Sequence, residues 1–318
     1  VNAGRGAYAA ARAADQMIKN VRTGLISLMD AREQAQVVLT PSVTIALNQI
    51  IYGQAWTEKS IAYVSPYEHN SVLRPLDVLS KKIGFQVLEL PLAEDLSIDL
   101  AKTAAMFEEN PPSFVAVTAV SNVTGYILPH REIFRLARRY GAFNLLDGSQ
   151  AVGLIRLPFA QTMADAICFA GHKTLYGPFG IAGFLIKNSA KLQVTLAGGT
   201  GTKSEDLSMP TSLPGSMEAG SKDTVAIAGL EAALKWLPSI KPLEHERAMA
   251  AHFIEEAGKI DGVELYCAPA GLQNQAGVVS FGVRGFTAIE VADIHDIQYN
   301  IAVRPGNTCH SPTHHPHD

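Results

Sequence analysis

The chain has 318 residues, 47% hydrophobic and 18% charged, which is enough for one large core and a smaller second unit. Its 26 basic and 30 acidic residues leave a formal charge of -4, with no basic excess to neutralise nucleic-acid phosphates. Residues 1–20 carry no apolar signal core, no stretch is long and apolar enough to span a bilayer, and three cysteines do not make a disulfide framework. The expected location is the cytoplasm, with neither nucleic acid nor membrane as a partner.

Short apolar runs at 61–64, 85–90, 114–120, 143–146 and 166–169 predict buried strands, each bounded by turn residues. Helical periods fall between them. Residues 71–83 follow a Ser cap, 98–108 are amphipathic, and 130–140 follow Pro129. This alternation implies βαβ units and a mainly parallel sheet. A Gly-, Ser- and Pro-rich stretch at 198–220 reads as a long functional loop, followed by a helix at 224–236. Pro238 and Pro242 mark a boundary. Residues 1–238 are expected to form a large α/β domain and residues 239–318 a small, incomplete α+β domain. In the latter the pattern predicts helices at 243–259 and 289–296, and strands near 263–266, 278–281 and 301–304.

Ligands of an open parallel sheet bind outside the carboxyl ends of its strands. Four such ends here carry Glu68-His69-Asn70, Ser121-Asn122-Val123-Thr124-Gly125, Asp147-Gly148-Ser149-Gln150 and Gly171-His172-Lys173. An amine and a carboxylate at two strand ends suit a pyridoxal-phosphate (PLP) site. The lysine forms an imine with the cofactor, and the carboxylate holds a proton on the pyridine nitrogen. Taken singly, Asp147 reads as a turn residue, Lys173 as a solvated lysine, His69 as a core histidine and Asn122 as a cap. It is their convergence that favours the cofactor. The run Gly198-Gly199-Thr200-Gly201-Thr202-Lys203-Ser204 lacks the spacing of a phosphate-binding P-loop. His310, His314, His315 and His317 have no Cys or acidic ligands at fixed spacing, so no metal is expected.

These motifs, with Gly177-Pro178 and Glu218-Ala219-Gly220-Ser221, resemble the class V aminotransferase family of fold-type I PLP enzymes. Within it the chain is most similar to the cysteine desulfurase and selenocysteine lyase branch. The resemblance runs from Gly4-Arg5-Gly6 to Cys309. It implies that Lys173 holds PLP, Asp147 pairs with the ring nitrogen, Gln150 bonds the ring oxygen, and His69 stacks on the ring and moves protons. Thr44, at the start of a helix after Leu39-Thr40-Pro41, would bind phosphate through a helix N-terminus. His172 would help. Ser221 would reach the phosphate of a second copy, making a homodimer. Asn122 would meet the substrate carboxylate or the ring oxygen, and Arg304 would meet the substrate.

Cys309, in Arg304-Pro305-Gly306-Asn307-Thr308-Cys309, corresponds to the family's catalytic cysteine. The implied reaction takes sulfur from L-cysteine, giving L-alanine and a persulfide on Cys309 that is passed to an acceptor protein. Cys168 reads as a core residue. Three positions depart from the family pattern: Ala170 stands where Ser or Thr is usual, Ser221 where Thr is usual, and Thr308 where His is usual. Ala170 cannot donate to phosphate. The family's N-terminal turn segment and its C-terminal carboxylate-binding Arg have no counterparts, so the chain reads as truncated at both ends. The alternatives are a selenocysteine lyase, another class V aminotransferase or lyase, or a catalytically silent protein of the same fold.

Overall fold

The computed structural model describes residues 8–201, 207–266 and 271–306. The first elements are α1 (Ala9–Leu28), β1 (Ala35–Thr40), α2 (Val43–Tyr52), β2 (Ile61–Val64), α3 (Asn70–Ile83) and β3 (Gln86–Glu89). Then come α4 (Leu100–Glu109), β4 (Phe114–Thr118), α5 (His130–Ala137), β5 (Phe143–Asp147), α6 (Phe159–Thr162), β6 (Ala166–Ala170) and β7 (Ala182–Lys187). After a long irregular segment follow α7 (Thr224–Trp236), α8 (Pro242–Ala257), β8 (Val263–Tyr266), β9 (Ser280–Val283) and α9 (Ala288–Tyr299).

Seven strands form one sheet in the order β1-β7-β6-β5-β4-β2-β3. The neighbours from β3 to β6 pair in parallel, while β7 runs antiparallel to both β6 and β1. The sheet is therefore mainly parallel, as the alternation of elements predicts. Side chains alternate between its faces. Val37, Tyr63, Val115, Leu146, Ile167 and Leu185 join α1, α5 and α7 in one apolar cluster. Val38, Ala62, Phe114, Leu145, Cys168 and Phe184 join α2 and α3 in the other. Coverage on both faces explains why β4 and β6 are wholly buried and, Thr118 apart, apolar at every position.

α1 buries Ala11, Ala14, Ile18, Val21 and Leu25, a three-to-four-residue spacing that makes one helical stripe. It lies against α7, and a Cβ on Gly24 would come within 3.2 Å of Leu234, so glycine permits the close approach. A second, two-stranded sheet pairs β8 with β9 antiparallel, contacted by α8 and α9 respectively.

Three expectations need correction or extension. α1, β1 and β7 lie outside the predicted elements. The N-cap of α3 is His69, whose Nδ1 accepts from the Ser71 amide at 3.0 Å, and Ser71 lies inside the helix. Residues 301–304 form no strand, because no described neighbour offers them a ladder of hydrogen bonds.

Phe107 of α4 is fully buried and meets Tyr63 edge-on, with ring centroids 4.7 Å apart. Phe107→Ala is expected to cost about 3–5 kcal/mol in urea unfolding, through lost burial and a residual cavity. The exposed Val78→Ala should stay within about 0.5 kcal/mol of the parent.

Candidate active site

Four parallel strands end at one edge. Val64 of β2 pairs with Ala116 of β4, Thr118 of β4 with Asp147 of β5, and Asp147 with Cys168 of β6. The residues that follow these strands therefore share one rim.

Asp147 is buried at the end of β5. Its Oδ1 accepts the Ser149 amide at 2.9 Å and the Ser149 hydroxyl at 2.5 Å. Among the described residues no hydrogen bond reaches Oδ2, which suits it to a cationic partner. Gly148 allows this tight turn, since a Cβ there would lie 2.6 Å from the Cys168 carbonyl oxygen. Gln150 follows, half-buried. Cys168 is fully buried, and burial, with Asp147 adding to it, pushes its thiol well above the usual range. This agrees with a core role.

Lys173 is half-buried in the turn after β6, with its amide on the Ala170 carbonyl and its own carbonyl accepting from Tyr176. The turn is pinned by Gly171 N–H donating to Ile181 O and by Thr174 Oγ1 donating to Val152 O. His172 stacks on Phe179 with centroids 4.3 Å apart. Burial, with Lys173 acting the same way, makes His172 less basic than usual.

His69 joins the constellation. Burial makes its imidazole less basic than usual; Asp147 opposes this, while Lys173, Arg304 and Arg74 reinforce it. Because Nδ1 accepts from the Ser71 amide, a neutral His69 carries its proton on Nε2. Ser71 Oγ lies 3.0 Å from that Nδ1 and 3.1 Å from Thr44 Oγ1, which links Thr44 to His69. Thr44 is exposed in the first turn of α2, whose N-cap is Ser42.

Asn122 is half-buried in a turn built on Ser121, whose Oγ accepts the amides of Val123 and Thr124. That turn is stapled to the chain near β9. Gln275 Nε2 donates to Thr124 O at 2.9 Å, Ser280 Oγ donates to Val123 O at 2.7 Å, and Ala276 N–H donates to Gly125 O.

Asp147, Lys173 and Arg304 thus each stand within electrostatic reach of His69, with Thr44 tied in through Ser71. Ser221 does not. It is exposed and lines a separate cleft with Thr40, Gln49, Glu218 and Lys222, to which Lys173, Asp147 and His69 do not contribute. Glu218 anchors that segment, accepting from the Leu39 amide and pairing with Arg22 and Lys222. Cys309 and Cys267 lie outside the described residues, as does the histidine-rich stretch. Motif reading assigned no role to Glu68, Ser71, Ser149 or Gln275. A Glu placed directly after an apolar strand and Pro66-Tyr67 was the one signal open to it.

The residues present fit PLP. A buried carboxylate with one oxygen engaged suits a pyridinium nitrogen, a neutral imidazole suits a ring face, and a lysine sits on the same rim. Among the described residues no cluster of three metal-ligating side chains occurs. None of the described helices is long and apolar enough to cross a membrane.

A mostly parallel α/β sheet with this rim defines a PLP-dependent enzyme of fold type I. The profile described as aminotransferase class-V matches residues 1–318, and the chain belongs to that family. It is 29% identical over 321 residues to a cysteine desulfurase of Shigella sonnei (strain Ss046), covering 97% of this chain and 77% of that protein. A cysteine desulfurase of Yersinia pestis (strain Pestoides F) is 29% identical over 320 residues, with the same coverage of 97% and 77%. Among solved structures, the apo cysteine desulfurase from Thermococcus onnurineus NA1 superposes with a TM-score of 0.88 at 26% identity, covering 97% of this chain and 78% of that one. The cysteine desulfurase CsdA from Escherichia coli, in its S-sulfonic acid form, shares the fold with a TM-score of 0.81 at 23% identity, covering 94% and 76%.

Proposed function

We propose that this chain is a cysteine desulfurase that takes sulfur from L-cysteine, releases L-alanine and holds the sulfur as a persulfide on Cys309. The observation that carries this reading is the convergence of Lys173, Asp147 and His69 on one rim, in a chain whose similarity to cysteine desulfurases extends over 97% of its length.

When bound, PLP supplies an electron sink for the substrate's α-carbon electrons. The chain's residues do the rest. Lys173 provides the amine that anchors the cofactor and then carries protons. Asp147, fixed by Ser149, keeps a proton on the ring nitrogen. His69 offers a neutral ring with its proton on Nε2, placed to stack and to exchange that proton. Gln150 bonds the ring oxygen. Thr44 and His172 bind phosphate, without help from Ala170, which has no donor. Asn122 orients the substrate carboxylate, and Arg304 meets the substrate. The thiolate of Cys309 then bonds to the substrate sulfur as the carbon–sulfur bond breaks, so that cysteine and one thiol become alanine and one persulfide.

Ser221 is exposed and apart from its own chain's rim, which supports a homodimer in which it reaches the partner's phosphate. The separate sheet of β8 and β9 supports a division into residues 1–238 and 239–318. A cytoplasmic location and a protein acceptor for the persulfide complete the reading.

Protein supplied with PLP, L-cysteine and a thiol reductant is expected to release alanine and sulfide in equal amounts. Alanine without sulfide, or neither product, rejects the assignment. A faster turnover of L-selenocysteine would move it to selenocysteine lyase.

A further inference from the structure

Beside His69 lies a carboxyl group that none of these steps uses. Glu68 is fully buried in the turn between β2 and α3. Its Oε1 accepts from Ser65 Oγ, within the same turn, and from the Thr118 amide at the end of β4. Thr118 is the register partner of Asp147, and its hydroxyl donates to Val120 O. Glu68 therefore ties the turn that presents His69 to the strand beside Asp147.

Its second oxygen, Oε2, is buried and has no hydrogen-bond partner among the described residues. The charged group that faces Glu68 is Asp147 on β5, which is itself an acid. Lys173, Arg304 and Arg74 act on His69, and Cys168 on β6 sits beside Asp147. A carboxylate at Glu68 would be a buried anion with one bare oxygen and a like charge nearby, which is a costly arrangement. A neutral acid leaves only a hydroxyl there.

We propose that Glu68 is a positioning residue carried as the neutral acid, clamping the His69 turn to β4 and placing no negative charge of its own beside Asp147. Burial, reinforced by Asp147 and opposed by the Ser65 and Thr118 bonds, pushes its carboxyl up to about 8. As the pH rises past that point, a second negative charge appears beside Asp147. It would favour protonation of His69 and of a ring nitrogen held by Asp147. The folded-state value lies above the ordinary 4.5, so the native state holds this proton where the unfolded chain has lost it. Stability from this group is complete below about 4.5 and is lost as pH rises through about 8.

The test has two arms, and only the second rests on the proposed cofactor. In cofactor-free protein at neutral pH, infrared difference spectra of the parent against Glu68→Gln should show a protonated-carboxyl band that the variant lacks. Glu68→Asp should shift that band rather than remove it. Thermal melts of the parent should fall from mildly acidic to alkaline pH more steeply than those of Glu68→Gln. If the parent and Glu68→Gln share the same protonated-carboxyl band and the same pH slope, Glu68 is ionised and the proposal fails. In the PLP-loaded protein, the alkaline inflection in visible absorbance should disappear in Glu68→Gln. Identical titrations of the two would refute the influence on the rim. If the parent takes up no PLP at all, the cofactor reading fails while the infrared result still decides the state of Glu68.

Discussion

Lys173→Ala is expected to abolish desulfuration. The loss should reach at least about 10²–10⁴-fold, the range that positioned proton transfer alone supplies, because in the proposed function the same amine also anchors the cofactor. The substitution should leave the fold intact. Lys173 is only half-buried, and its hydrogen bonds among the described residues are backbone ones, from its amide to Ala170 O and from Tyr176 N–H to its carbonyl. Alanine keeps both. Unchanged circular dichroism with no alanine release is the expected pair of results. Borohydride reduction of the parent with PLP, followed by peptide mapping, should place the label on Lys173. A label on any other lysine overturns the assignment of this residue.

Cys309→Ala should produce a different loss. The variant should bind PLP with the same absorbance as the parent and still form no alanine from cysteine. Cys168 cannot substitute as sulfur acceptor, because it is fully buried in β6 and its thiol is pushed well above the range in which thiolate forms at neutral pH. Alanine release at the parental rate from Cys309→Ala would show that sulfur leaves by another route. Trapping with a thiol-alkylating reagent after exposure to cysteine, read by mass spectrometry, should find one extra sulfur on Cys309 in the parent.

The rim was legible because of a geometric rule rather than a distance. Parallel strands end on the same edge, so Asp147 and Lys173 could be paired without knowledge of their separation. Strands such as Ile61–Val64 stood out as apolar runs cut off sharply by turn residues. β7 reads as similarly apolar but runs antiparallel, and a scheme of alternating strands and helices has no place for it. α1 escaped notice because part of its buried stripe is alanine, at Ala11 and Ala14, which barely marks a hydrophobic face. The apolar run at 301–303 before Arg304 misled in the opposite direction, since a pattern fit for a strand forms none without a neighbour. The supports of the site lay further from view. Gln275 meets Thr124 across 151 positions of sequence, and no local pattern signals such a contact. The cap on α3 was misassigned because an imidazole, which also faces the rim, does the work expected of a hydroxyl.

The staple around Gln275 ties the fate of two distant stretches together. The amide of Ile127 donates to Asn274 O, that of Ala276 to Gly125 O, and the Gln275 side chain also reaches Ala276 O and Val278 O. Arg247 of α8 holds the same segment through the carbonyls of Gln273 and Gln275. The turn bearing Asn122 cannot open without breaking contacts made by residues 273–280, so the two should exchange their amide hydrogens as one cooperative unit. With Asn122 in its proposed role, substrate orientation on the large sheet would depend on the integrity of a stretch that follows α8. Damage there, whether by proteolysis or by an unfolding event that spares β1 to β7, should loosen the grip on the substrate while Lys173 and Asp147 remain in place.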